Sequence, residues 1–347
     1  MHIPDGYLSP QTNAVLGLAS ALAAAGAVHH TSRSLKARLV PLLSLGSAFS
    51  FTIMMFNVPI PDGTTAHATG GALLAILLGP WPAMISMSVA LAIQAFFFGD
   101  GGILALGTNI FNMAVALPFV SYGTYRLLTG YRTPSNKRRI LAAGLAGYIG
   151  INVAALLAGV EFGLQPILFH TASGVPLYSP YGLNLAVPAM AFAHLTVAGP
   201  VEAVVTGLVI SYLLHSNPEL FQASTASIPK KGWRRLTLGI GLLVLLSPLG
   251  LLAGGTAWGE WGTEQIQSQI GYIPEGLQKF SDFWHHTLLK DYALTRLGQT
   301  FWQQALGYLL SALLGLLVIG GIGFGIHRIF SKAGERHEPT DLASRNS

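Results

Sequence analysis

Apolar stretches long enough to cross a bilayer, separated by short polar segments, run through most of this 347-residue chain. A hydrocarbon core about 30 Å thick needs about 20 consecutive apolar residues in helical form. Within it every backbone N–H and C=O must be satisfied by the chain itself, which leaves helices or closed barrels. Uninterrupted apolar runs, rather than alternating ones, choose helices. Only 10% of the residues are Asp, Glu, Lys or Arg, against about a quarter in a soluble domain, so water cannot surround this chain. The 41 glycines fit close packing of helices in lipid. With no cysteine in the chain, disulfides, thiolate metal sites and Cys nucleophiles are excluded.

The pattern predicts an all-α polytopic membrane protein with nine spans, at about 13–29, 39–56, 66–78, 81–98, 103–127, 140–160, 185–214, 236–254 and 305–326. The third is short and Gly-rich, so it needs cover from its neighbours. Basic residues set the orientation. With the N-terminus outside and the C-terminus cytoplasmic, all but Lys279, Lys290 and Arg296 of the 19 Lys and Arg fall on the cytoplasmic side, as the positive-inside rule demands. These clusters orient helices, so the net charge of +5 does not imply nucleic-acid binding. The expected organisation is a seven-span part (1–215), a linker (216–232), a two-span accessory hairpin (233–330) with an external loop (255–304), and a cytoplasmic tail (331–347). A loop of that length is more typical of a functional segment than of a simple turn.

The segment Met1-His2-Ile3-Pro4-Asp5-Gly6 is not a basic leader, and the first apolar run begins near Ala14, so no signal peptide is expected. His2 is too bulky for the usual removal of the initiator Met, which predicts a free Met1 amine on the outer side.

Phosphate-cradling, zinc-protease, nucleophile-elbow and dinucleotide motifs are absent from the sequence. A free amine followed by His is itself a chelator. The Met1 amine and the deprotonated His2 amide close a five-membered ring on a metal, and His2 Nδ1 closes a six-membered one. Three nitrogens then occupy three corners of a square, a field suited to Ni(II) or Cu(II). His67, at the entrance to the third span from the same side, can supply the fourth corner. Asp5, Gln94, Asn109, Asn112 and Glu202 can support such a site from behind the ligands, although helix–helix hydrogen bonds account for them equally well. His194, His170 and His285-His286 rank lower, His29-His30 faces the cytoplasm, and Trp258, Trp261 and Trp284 fit an interfacial anchoring role.

Several of these stretches together resemble the substrate-binding component of nickel/cobalt energy-coupling-factor (ECF) transporters, the NikM/CbiM family. They are Met1-His2-Ile3-Pro4-Asp5-Gly6, His67-Ala68-Thr69-Gly70-Gly71, the run from Gln94 through Gly102, Gly107-Thr108-Asn109-Ile110-Phe111-Asn112-Met113, and Pro200-Val201-Glu202-Ala203. The hairpin resembles the small accessory component, NikN/CbiN, in Ser247-Pro248-Leu249-Gly250-Leu251-Leu252-Ala253 and Ala257-Trp258-Gly259-Glu260-Trp261. The family's Pro-Asp-Gly-Leu-Glu is here Pro274-Glu275-Gly276-Leu277-Gln278. The resemblance implies capture of Ni²⁺ or Co²⁺ through Met1, His2 and His67. It also implies partnership with a transmembrane coupling (T) component and two cytoplasmic ATPase subunits in a prokaryotic cytoplasmic membrane. It implies no enzymatic activity and no cofactor beyond the transported ion. The competing readings are a metal-dependent secondary transporter or channel without ATPase partners, a membrane metalloenzyme, and a transporter of the same class for another substrate.

Overall fold

The computed structural model describes residues 1–34, 39–60, 64–130, 134–217, 230–252, 258–294, 298 and 300–335. Lys36, Arg38, Asp62, Gly63, Arg132, Ala257, Arg296, Arg336, Arg345, most of the expected linker and the end of the tail lie outside the described residues.

Among the described residues, six helical runs are long and apolar enough to cross a membrane: Pro10–Thr31, Pro80–Phe98, Asn136–Leu168, Leu183–Ser216, Arg234–Leu252 and Phe301–Ile329. The nine-span expectation departs from this at three places. The second apolar run forms α2 (Val40–Met54), after α1 (Pro10–Ser34), and is 15 residues long. The third reduces to an eight-residue helix, α3 (Gly71–Leu78), about 12 Å long. Ahead of it, β1 (Val58–Pro59) and β2 (Thr65–Ala66) pair antiparallel, so the fold is not purely helical. The fifth run forms α5 (Leu106–Asn109), a π-helical turn (Ile110–Ala116) and α6 (Leu117–Thr129).

Two other helices also widen into π turns. One is Gln94–Phe98, after α4 (Pro80–Ile93); the other is His194–Ala198, between α8 (Leu183–Ala193) and α9 (Gly199–Ser216). The turns at Ile110–Ala116 and His194–Ala198 each run into a proline, Pro118 and Pro200, which lacks the N–H that a regular α-turn requires. A widened turn absorbs that defect, and π turns concentrate at functional sites.

The 33-residue α7 (Asn136–Leu168) is the central post of the first part. The hydroxyl of Ser135 caps its N-terminus by accepting from the Arg138 amide at 3.3 Å. Its buried face carries Ala143, Ala146, Gly147, Gly150, Ala154 and Ala158, so α6, α8 and α9 pack close to its backbone.

The hairpin helices α10 (Lys230–Leu246) and α13 (Phe301–Glu335) both lie against α2. Gly315 makes the docking possible, because a Cβ there would run into the Phe51 ring. Between them, α11 (Thr263–Ile270) and α12 (Glu275–Phe280) belong to a loop that covers the chain's N-terminal segment. The Tyr7 hydroxyl donates to the Trp261 carbonyl at 2.7 Å across that contact.

Candidate metal centre

The first nine residues do not lie on the surface. Met1, Ile3, Tyr7 and Leu8 are all buried, and the segment is sewn into the body by hydrogen bonds. Asn109 clamps Ile3 from both sides, its Oδ1 accepting from Ile3 N at 2.9 Å and its Nδ2 donating to Ile3 O at 3.1 Å. The Ile3 carbonyl also accepts from Gly102 N at 2.9 Å. The Asp5 carboxylate accepts from the amides of Ile103, Leu104 and Ala105 at 3.1, 2.8 and 3.2 Å. These amides lead into α5, where unpaired N–H groups favour a negative charge. Gly102 is required there, because any Cβ would collide with Asp5.

This stitching carries Met1 and His2 to His67. The two imidazoles stack with centroids 5.0 Å apart and planes inclined by 23°, and both residues are at most 5% exposed. His67 Nδ1 lies 3.2 Å from the Ala68 carbonyl. That contact requires the proton on Nδ1 and leaves a lone pair on Nε2, which has no hydrogen-bond partner. Beneath the loop, Glu202 accepts from Thr69 N at 2.7 Å and Gly70 N at 3.1 Å, fixing the path of the chain just after His67.

The terminal amine donates to Thr65 O and Oγ1, both at 3.3 Å, and lies 3.6 Å from Glu260 Oε1. The Thr65 hydroxyl also donates to Glu260. His2 Nδ1 lies 3.3 Å from Asp100 Oδ1. Asp100 Oδ2 accepts from Tyr292 OH at 2.6 Å and from Gln94 Nε2 at 3.3 Å, and Gln94 Nε2 also donates to Tyr292 OH at 2.9 Å. Burial pushes the Met1 amine, the His2 imidazole and the His67 imidazole all below their ordinary values. Desolvation disfavours each charged form, and the mutual repulsion of the cationic forms adds to the shift on both imidazoles. Neutral nitrogens are what a metal ligand must present.

Met1, His2 and His67 are therefore brought together. Asp5, Gln94, Asn109 and Glu202 surround them in supporting positions. Asn112 Nδ2 donates to Glu161 at 2.7 Å, and its Oδ1 is buried without a hydrogen-bond partner. His170 and the His285–His286 pair are exposed, and His30 stacks on Trp81 with centroids 4.9 Å apart. His194 is fully buried with an unpaired Nε2, on a π turn that packs against β2. Trp284 Nε1 donates to the Phe96 carbonyl at 3.0 Å. Sequence reasoning did not single out Thr65, Asp100, Glu260 or Tyr292. Asp100 and Glu260 stand inside quoted motifs, but nothing local marks them as neighbours of the terminal amine and His2.

The family model described as "Cobalt uptake substrate-specific transmembrane region" matches residues 2–220, and one described as "PDGLE domain" matches residues 233–332. The fused nickel transport protein NikMN of Rhodobacter capsulatus is 49% identical, over 96% of this chain and all of that one. The probable fused nickel transport protein LarMN of Lactiplantibacillus plantarum is 47% identical, over 92% of this chain and 95% of that one. A crystal structure titled as a truncated transition metal transporter is similar at a TM-score of 0.59 and 60% identity, covering 62% of this chain and 99% of that one. A second, titled as a transition metal transporter, gives a TM-score of 0.60 at 57% identity, covering 65% of this chain and 98% of that one. With matches along nearly its whole length, the chain is a multi-pass membrane protein of the CbiM family of nickel and cobalt transport proteins, joined to a PDGLE domain.

Proposed function

We propose that this chain is the substrate-specificity subunit of an ATP-driven ECF transporter, capturing Ni²⁺ or Co²⁺ with high affinity on the outer face of the membrane. The observation that supports this best is the shared burial of Met1, His2 and His67, with the His2 and His67 rings stacked and His67 Nε2 unpaired. The metal takes the Met1 amine, the His2 amide, His2 Nδ1 and His67 Nε2 as four nitrogen donors. Loading requires His2 Nδ1 to leave Asp100 and the Met1 amine to leave Thr65 and Glu260. The amide gives up its proton to the solvent as the metal replaces it. A filled square of protein nitrogens leaves no equatorial position for a reacting substrate, which fits carriage rather than catalysis. A transmembrane coupling component and two cytoplasmic ATPases then drive inward release.

Equilibrium dialysis of the purified full chain against Ni²⁺, Co²⁺ and Cu²⁺ tests the capture step, with one tightly held metal per chain expected. Uptake by cells carrying this chain but no ATPase partner would instead mark a secondary transporter or channel.

A further inference from the structure

A cavity of about 400 Å³ lies beside the chelating nitrogens, between the N-terminal segment and the accessory loop. Its wall includes His2, Asp100, Glu260, Lys290, Asp291 and Tyr292. Six waters occupy about 180 Å³ at roughly 30 Å³ each in the liquid, so a hydrated divalent cation fits.

Two of the wall carboxylates have distinct placements. Glu260, from the accessory loop, stands 3.6 Å from the Met1 amine. Asp100, from the first part, stands 3.3 Å from His2 Nδ1. Each therefore touches one of the nitrogens that a metal must reach. Tyr292 and Gln94 hold Asp100 by its other oxygen. A separate observation points to a ligand here. His2 lines the cavity, is 5% exposed, and its Nε2 has no hydrogen-bond partner, a costly arrangement for a buried polar atom.

We propose that Asp100 and Glu260 form an outer staging site, which holds a hydrated divalent cation in the cavity and hands it to the Met1 and His2 nitrogens. Carboxylate oxygens suit a cation that still keeps its waters, whereas the nitrogen square takes it only after those waters leave. The first part and the accessory hairpin each supply one carboxylate, so the staging site is complete only when the hairpin loop is docked. The inference rests on Met1, His2 and His67 being the chelate.

The test is stopped-flow mixing of the purified full chain with Ni²⁺, following the absorbance band of nickel in a nitrogen square. Glu260→Gln is expected to slow the second-order loading rate about tenfold and to flatten its dependence on ionic strength, as loss of electrostatic focusing does. Glu264→Gln, on an exposed residue of the same loop, should load at the unsubstituted rate. Where Glu260→Gln unfolds early in a thermal melt, Asp100→Asn makes the same measurement from the opposite wall. Loading by the folded variant as fast as by the unsubstituted chain overturns the staging site while leaving the chelate standing. Absence of the nitrogen-square band from the unsubstituted chain overturns both, so the two failures are distinguishable.

Discussion

Glu260 Oε1 lies 3.6 Å from the Met1 amine, so the PDGLE part of the chain reaches the very first residue of the metal-transport part. The hydrogen bond from Tyr292 to Asp100 at 2.6 Å makes a second such bridge. A fused hairpin that merely anchored the chain in lipid would have no reason to place a carboxylate and a phenol there. The fusion therefore reaches the proposed metal centre, and variants in either part should change metal binding.

One residue added ahead of Met1 replaces the terminal amine with an amide and pushes an extra side chain into a buried pocket. Nickel binding should be lost while the helical circular-dichroism signal is kept. Dialysis with the extended chain checks this, and unchanged binding would remove the terminal amine from the site.

His67→Ala takes away the proposed fourth nitrogen. Loss of a group that only supports a ligand costs 10–100-fold in metal affinity, so loss of the ligand itself should cost at least about 100-fold. Competition against a chelator of known affinity measures the change. The nickel absorbance band should shift as water or chloride takes the empty corner.

The parts of this fold that depend on local composition were readable in the sequence. The long apolar runs became α1, α4, α7, α10 and α13. Coordination chemistry is what singles out Met1, His2 and His67 as proposed ligands, and the structure stacks the His2 and His67 rings. The shortness of α3 was legible only in outline. Gly70 at φ +72° and Gly79 at φ +88° bound a helix that hydropathy extends back to Ala66. The π turns at Gln94, Ile110 and His194 have no hydropathy signature. Glu260 and Asp100 were illegible for a different reason. Their roles come from contacts between distant parts of the chain, which no local pattern encodes.

Burial lowers the pKa of the Met1 amine and of the His2 and His67 imidazoles. A lowered pKa leaves each nitrogen neutral at a pH where its free counterpart still carries a proton, so fewer protons compete with the metal. Ordinary values are about 6.5 for imidazole and 7.7–8.0 for the amine. The pH midpoint of nickel binding should therefore lie below that of a free peptide with the sequence Met-His-Ile-Pro. Parallel pH titrations of the protein and the peptide decide it, and a midpoint at or above that of the peptide would contradict the buried site.

Asn109 holds Ile3 by both its amide and its carbonyl, and Ile3 adjoins His2, a proposed ligand. Asn109→Ala leaves Ile3 N buried without this partner, at about 1–3 kcal/mol for an unsatisfied group, while Ile3 O keeps the Gly102 amide. The expected result is a 10–100-fold drop in nickel affinity with a smaller fall in Tm. Asn109→Asp restores an acceptor for Ile3 N but no donor for Ile3 O, so it should recover only part of the loss.

Gly315 tests how the hairpin is attached. A Cβ at this position would overlap the Phe51 ring, and Phe51 is fully buried in the core with Phe98 and Tyr292 packed around it. Gly315→Val therefore cannot be absorbed by turning one flexible side chain. Either α13 moves away from α2 or Phe51 is displaced toward Tyr292. Overpacking of this kind typically costs 1–3 kcal/mol. Because Tyr292 holds Asp100 beside His2, the strain should also reach the metal centre. Gly315→Val should lower Tm and weaken nickel binding together. Adding Phe51→Ala makes room for the new side chain and should recover part of both. A double-mutant cycle with the two effects strictly additive would show that Gly315 and Phe51 are not in contact, and that the hairpin docks elsewhere on α2.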